Sequence, residues 1–324
     1  MNTIEKIDGQ PDVAQIVPQD QDAAKAPVTT EAVTPEAEPT ASYFVVIFWE
    51  NEEHHRIDRK LHTELTKKLE AITSSPENTE IDVWIDSGGG DPHIAYKILL
   101  SLRSRCRKLR AVIPDYAKSA ATLLVLGMDE IFMGPSAELG PLDVQVSHPL
   151  REELTVSALD VSGAIEYLGR LALSLASEGG PMLLEMTGLS RADVLREVLP
   201  FAARVVKPAI AQLDPHLVYR ARSQLRITRE YAERSLAMRN VSEEEKLTED
   251  RVAKLCNHFV TDYPTHAFVI SRAEAKECGL PIRNLEKYHA MDLVNRLHNE
   301  YTEKECDICH VIKAGTPGSA TPSS

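Results

Sequence analysis

The sequence has no apolar run long enough to cross a bilayer, and no charged start followed by the apolar core of a secretory signal. It also lacks an even cysteine framework. Five cysteines stand at 106, 256, 278, 306 and 309 without regular spacing, which argues against a disulfide scaffold and points to a reducing compartment. The expected location is therefore cytoplasmic, with no membrane span. Positive charge is in deficit: 36 Lys and Arg stand against 49 Asp and Glu, for a formal net charge of −13. That balance argues against a general nucleic-acid binder. The one glycine cluster is not followed by Gly-Lys-Ser/Thr, so it is no P-loop, and its glycines are not spread as a dinucleotide fingerprint requires. A single Cys-x-x-Cys, Cys306 to Cys309 beside His310, has no second pair at a distance that would complete a zinc site. These cysteines read as surface residues near a loose C-terminus. No internal repeat is visible, and no metal or organic cofactor is called for.

Much of the acidity is local. Residues 1–42 hold eight acidic and two basic side chains and few large apolar ones. Such a segment cannot bury enough surface to offset its ordering entropy, and a disordered N-terminal tail is expected. Residues 313–324 read the same way. Between the tails, strands alternate with helices. Tyr43 to Trp49, Ile81 to Ile85, Ala111 to Pro114 and Glu130 to Met133 read as strands. Leu61, Leu65, Leu69 and Ile72 mark one helix; Ala95, Ile98, Leu99 and Leu102 mark another. The pattern predicts parallel β-α units with right-handed crossovers. The basic cluster from Arg103 to Arg110 reads as the solvated end of a helix.

After about residue 150 the pattern changes, and residues 157–255 read as a succession of helices with few strand signals. Ala158 to Ala176 and Met182 to Leu199 are the clearest helices, and Ser242-Glu243-Glu244-Glu245 reads as a capping box opening another. Ala267 to Ile270 gives a short strand, Ser271 to Gly279 a brief helix, and Tyr288, Met291, Val294 and Leu297 the stripe of a last helix. The expected organisation is a tail over 1–42, the first part of a core over 43–150, and a helical insertion over 151–255 that covers the cleft and aids assembly. The core is completed over 256–312, and a second tail spans 313–324.

Two motifs carry chemistry. Gly88-Gly89-Gly90 ends a strand, and three adjacent glycines let the backbone approach a ligand or pair with an extended peptide through Gly88 and Gly89. Tyr116-Ala117-Lys118-Ser119-Ala120-Ala121-Thr122-Leu123 places a serine among small residues at a strand-to-helix turn. Free N–H groups at a helix start hold developing negative charge, so a nucleophile beside a two-part oxyanion hole is expected.

Ile85 to Asp91, Ala117 to Leu123 and Gly134-Pro135-Ser136-Ala137-Glu138-Leu139-Gly140-Pro141-Leu142-Asp143 resemble the ClpP/crotonase superfold, and within it the serine dehydrogenase proteinase family. Tyr263 to Ile270, with Glu274-Ala275 and Cys278-Gly279-Leu280, also fits that family. The resemblance covers roughly residues 43–283. It implies an α/β fold of repeated β-β-α/β-α units with a helical insertion, and serine-type cleavage of a peptide or protein substrate. Ser119 matches the nucleophile, Asp143 the acidic member and His266 the base, with oxyanion N–H groups from Gly90 and Ala120; His148 and the adjacent Lys118 are rival candidates for the base. A homo-oligomer is implied as well, while any ATPase partner stays open. The sequence departs from ClpP-type relatives at Gly88, where proline is usual, and at Ala121, where glycine is usual. A non-catalytic scaffold of the same fold and a crotonase-like acyl-CoA enzyme are the alternatives.

Overall fold

The computed structural model describes residues 41–48, 56–148, 151–302 and 309–313. The tail expected over 1–42 lies outside these residues except for Ala41 and Ser42, which already belong to the first strand. In chain order the core elements are β1 (Ala41–Phe48), α1 (Arg59–Leu69), β2 (Thr79–Asp86), α2 (Pro92–Arg103), β3 (Lys108–Ile113), β4 (Tyr116–Ala117), α3 (Ala120–Leu126), β5 (Glu130–Met133) and β6 (Glu138–Leu139). A hairpin, β7 (Gln145–His148) and β8 (Arg151–Ser157), leads into α4 (Ala158–Thr187), α5 (Arg191–Ile210) and α6 (Pro215–Ala237). The chain returns through α7 (Glu249–Asn257), β9 (Ile270–Ser271), α8 (Arg272–Glu277), β10 (Ile282–Asn284), α9 (Met291–Thr302) and β11 (Cys309–Lys313).

The six-stranded sheet runs β10-β5-β3-β2-β1-β11. Every pair is parallel except β1 with β11. Alternation along the strands decides which side chain meets which layer. Val45, Ile47, Val83 and Ile85 pack into the main core with Leu61, Leu65, Ile98 and Leu99 of α1 and α2. Phe44, Val46, Trp84 and Val112 face the opposite side, where Tyr288 and Val294 cover them. A second sheet, β4-β6-β9, lies at the C-terminal ends of the first, joined to it by a bridge between Ser87 and Ala117.

Several expectations are corrected. The basic cluster is not a solvated helix end. Arg103 grips Asp129 with two bonds, Arg107 pairs with Glu80, and Arg110 reaches Glu80, Asp82 and Glu130 across the strands. Those partners extend β3 back to Lys108. The long helix does not break at Gly179-Gly180-Pro181; it continues to Thr187 and stops at Gly188, which takes the left-handed conformation (φ 67) that glycine adopts without cost. Ser242 to Glu245 forms a turn, and the helix opens instead at Thr248, whose side chain accepts from Arg251 N–H. The β7–β8 hairpin, which the sequence reading did not mark, precedes the helices of the 151–255 segment. Cys309 is buried on β11, opposite Ile47, rather than at the surface; Cys306 lies outside the described residues.

Candidate active site

The chain reaches Ser119 through a scaffold set by β2 and β4. Ser87 N–H donates to Tyr116 O (3.2 Å) and Lys118 N–H donates to Ser87 O (2.9 Å), so the glycine strip after β2 and the serine after β4 share one framework. Ser119 has φ 52 and ψ −118, and among the described residues it is the only non-glycine with positive φ. A residue with a Cβ held there costs on the order of 1–3 kcal/mol, which neighbouring contacts must offset. Gly89 is one such contact: with φ 104, a Cβ on it would stand 2.6 Å from Lys118 O and 2.9 Å from Ser119 Cβ. Thr122, fully buried on α3, is another. Its hydroxyl bonds to Ala117 O (2.7 Å) and accepts from Gly140 N–H (3.2 Å), fixing the loop toward Asp143 against the serine helix.

The two amide groups fall beside the serine for separate reasons. Ala120 N–H is in the first turn of α3, where helical geometry leaves it without an intrahelical acceptor. At Gly90, the bonds to Ile57 are made by its neighbours: Ile57 N–H donates to Gly89 O (2.9 Å) and Asp91 N–H donates to Ile57 O (2.8 Å). The N–H and C=O of Gly90 therefore face the other way. Gly88, Gly90, Ser119, Ala120 and His266 all line one cavity of about 300 Å³. The strip is less open to an incoming strand than expected. Gly89 is committed on both sides, its N–H to Ser87 Oγ and its C=O to Ile57.

Asp143 is buried at the start of α4. Its Oδ1 accepts from Leu159 N–H (3.1 Å), in the first turn of a 30-residue helix whose positive end favours the carboxylate. Its Oδ2 lies 4.0 Å from His266 Nδ1, and both atoms are buried without a hydrogen-bond partner. The imidazole is 30% exposed, the carboxylate 2%. Among the described residues no hydrogen bond joins Ser119 Oγ to His266. The structure thus brings the imidazole to the serine cavity and the carboxylate behind it, with no hydrogen bond between the described side chains of Ser119, His266 and Asp143. Lys118 is engaged elsewhere, 2.5 Å from Glu138. His148 stands on β7, paired with Arg151 in the strand register; its side chain lies outside the described ones.

Sequence reading missed the far wall. Arg220, Gln224 and Thr228 of α6 line the cavity, as does His93 at the start of α2, whose Nδ1 meets Tyr231 Oη at 3.0 Å. The signal was present: residues 220, 224 and 228 recur every four positions, a polar stripe on one helical face. Below the glycine strip, burial and the charge of Asp115 push the Asp86 carboxyl up to about 7.

The parallel α/β sheet thus carries a small second sheet at its strand ends, with a strained serine at the head of a helix and a glycine strip beside it. Residues 61–158 match the family described as ClpP-like SDH-type serine proteinase, a stretch that contains Ser119 and Asp143 and excludes His266. The chain is also similar to two uncharacterized proteins of Methanocaldococcus jannaschii. MJ1495 is 38% identical over 78 residues, 24% of this chain and 27% of that protein. MJ0137 is 34% identical over 96 residues, 30% and 33%. The chain thus spans no more than a third of the length of these relatives. Similar solved structures include a ClpP1 variant from Listeria monocytogenes (18% identity, 48% of this chain and 78% of that one, TM-score 0.25). Another is the 1510-N membrane-bound stomatin-specific protease with a substrate peptide (13%, 81% and 100%, 0.29). A third is an enoyl-CoA hydratase from Mycobacterium smegmatis (13%, 61% and 80%, 0.23). Among the described residues no helix is long and apolar enough to cross a membrane.

Proposed function

We propose that the chain is a serine peptidase acting on peptide or protein substrates through Ser119, His266 and Asp143. The observation that carries this reading is the backbone of Ser119. A strained φ is held at a helix start, between a glycine strip and an unpaired helical N–H, inside a cavity that also receives an imidazole backed by a buried carboxylate. His266 takes the hydroxyl proton as Ser119 Oγ attacks the carbonyl carbon. The Gly90 and Ala120 N–H groups hold the oxyanion. Collapse of the tetrahedral intermediate transfers the proton from His266 to the leaving amine and leaves an acyl-serine, which water hydrolyses by the same route in reverse. Asp143 orients the imidazole and stabilises its charged form. Closure of the 4.0 Å gap between Asp143 and His266 accompanies substrate binding or assembly, as catalytic hydrogen bonds often tighten only in the complex.

The chemistry uses no cofactor. The homo-oligomer belongs to the same proposal, supported by large apolar side chains exposed on α4 and α5, such as Leu173, Met186 and Phe201. So does the cytoplasmic location, supported by Cys106, Cys256 and Cys278 being free thiols. Reaction with a fluorophosphonate probe tests the nucleophile. Ser119→Ala should lose labelling and reduce peptide hydrolysis at least about 10⁴-fold while keeping its circular dichroism spectrum. Equal labelling of the two proteins removes Ser119 from the reaction. The commitment of Gly89 to Ile57 favours one other reading, a binding scaffold without turnover. Wild-type protein that captures peptide yet reacts with no probe supports it.

A further inference from the structure

A second cleft, of about 430 Å³, shares no lining residue with the Ser119 cavity. It lies between the C-terminal end of α6, the connection 238–248 and the first turns of α7. Leu236, Val241, Leu247 and Val252 make its walls largely aliphatic. Arg239 lines it as well, and two of its nitrogens, Nε and Nη2, are buried with no hydrogen-bond partner. Burial is the dominant influence on this guanidinium and pulls its pKa below the usual arginine value, against the fields of Asp129 and Glu245. Neither carboxylate is free to answer it. Asp129 takes two bonds from Arg103 and one each from the Leu109 and Asn240 N–H groups. Glu245 pairs with Arg283. The other charged wall residues are Glu233, paired with Arg229, Lys246, paired with Glu243, and Glu249 in the first turn of α7.

An arginine does not escape its charge by losing a proton at neutral pH, so buried donors without an acceptor remain a cost until an anion arrives. An aliphatic chamber with one undersolvated cation on its wall suits a ligand that is apolar along its length and anionic at one end. We propose that this cleft binds an aliphatic carboxylate, its head group on Arg239 and its chain along Leu236, Leu247 and Val252. Two sources share that chemistry: a medium-chain fatty acid, and the free C-terminus of a peptide ending in an aliphatic residue. The site stands independently of the peptidase reading, because none of its residues enters the Ser119 cavity.

Isothermal titration of the full chain with four probes tests it: octanoate, octanol, N-acetyl-Ala-Ala-Leu, and the amide of that peptide. At least one acid should bind with one-to-one stoichiometry and at least tenfold more tightly than its neutral counterpart. Arg239→Gln should weaken that acid at least tenfold. Tighter octanoate assigns the site to free acids, and a tighter peptide assigns it to C-termini. Failure of both acids, equal binding of acid and neutral probe, or undiminished binding to Arg239→Gln overturns the proposal. If Arg239→Gln does not fold, the acid-against-neutral comparison on the wild-type protein decides. Val241→Trp, which fills the cleft from an exposed connection, should then abolish binding; retained affinity would place the ligand elsewhere.

Discussion

The two halves of the candidate site are built differently. On the nucleophile side nearly every group is spoken for: Ser87, Gly89, Lys118 and Thr122 are tied by bonds of 2.7–3.2 Å to the backbone around Ser119. On the acid–base side, Asp143 Oδ2 and His266 Nδ1 face each other across 4.0 Å with no other partner. The first half rests on the ends of parallel strands and a buried helix. The imidazole arrives on the connection after α7, close to the surface. Strain can be stored only where the surroundings over-determine a conformation, so the serine must sit in the rigid half. In the proposed reaction the imidazole accepts and returns a proton, and it tolerates a looser mount provided substrate or a neighbouring copy completes it.

The sharpest way to break this contrast is at Asp143. Asp143→Asn should leave the fold and the serine geometry intact while lowering peptide hydrolysis about 10³–10⁴-fold, since the amide favours the wrong imidazole tautomer. A loss under tenfold would mean that the 4.0 Å gap does not close during turnover. The next largest effect is expected at Gly89. Gly89→Ala places a methyl against Lys118 O at a backbone angle that favours glycine; a stability loss of about 2–4 kcal/mol, read from the urea midpoint, should accompany lost probe labelling. Unchanged stability would show the nucleophile side to be as pliant as the other.

Asp86 gives the smallest effect and a signed one. Its carboxyl ionises near pH 7 in the folded chain, above its ordinary value of 3.8. Between those values the native state holds a proton that the unfolded chain has released. Stability from this group is fully present below about pH 4 and is lost as pH rises through 7. Asp86→Asn removes that slope, so the variant should gain on the order of 2 kcal/mol over wild type at pH 8 and little at pH 4, measured by thermal unfolding in parallel buffers. Parallel pH profiles of the two proteins would remove the carboxyl from the balance.

How far the sequence spoke depended on range. Gly88 to Gly90 and Ser119 were legible because a strand end, a turn and a helix start each leave a local mark within a few residues. The β5 strand, Glu130 to Met133, was legible for the same reason. Asp143 and His266 came from resemblance, because nothing in a separation of that length says that the two side chains meet. The β7–β8 hairpin was hidden by the acidic run Glu152-Glu153, which breaks the apolar alternation a strand normally shows. The Arg103–Arg110 cluster misled because its carboxylate partners lie on neighbouring strands rather than on the same helix. Polar residues at 220, 224 and 228 had a readable period, but a polar face on a helix usually means solvent, and only the fold turned this one toward a cavity.

The last strand of the sheet has a consequence for the order in which the chain becomes safe. Tyr43 to Ile47 of β1 pair with the segment Cys309–Lys313, so this flank of the sheet waits for a segment made much later before it is sealed. Throughout that interval a ribosome-bound chain carries a bare ribbon of apolar, β-branched backbone, the sort of edge that recruits copies of itself. Crowded translation on one message is therefore the circumstance in which this fold is most exposed to error.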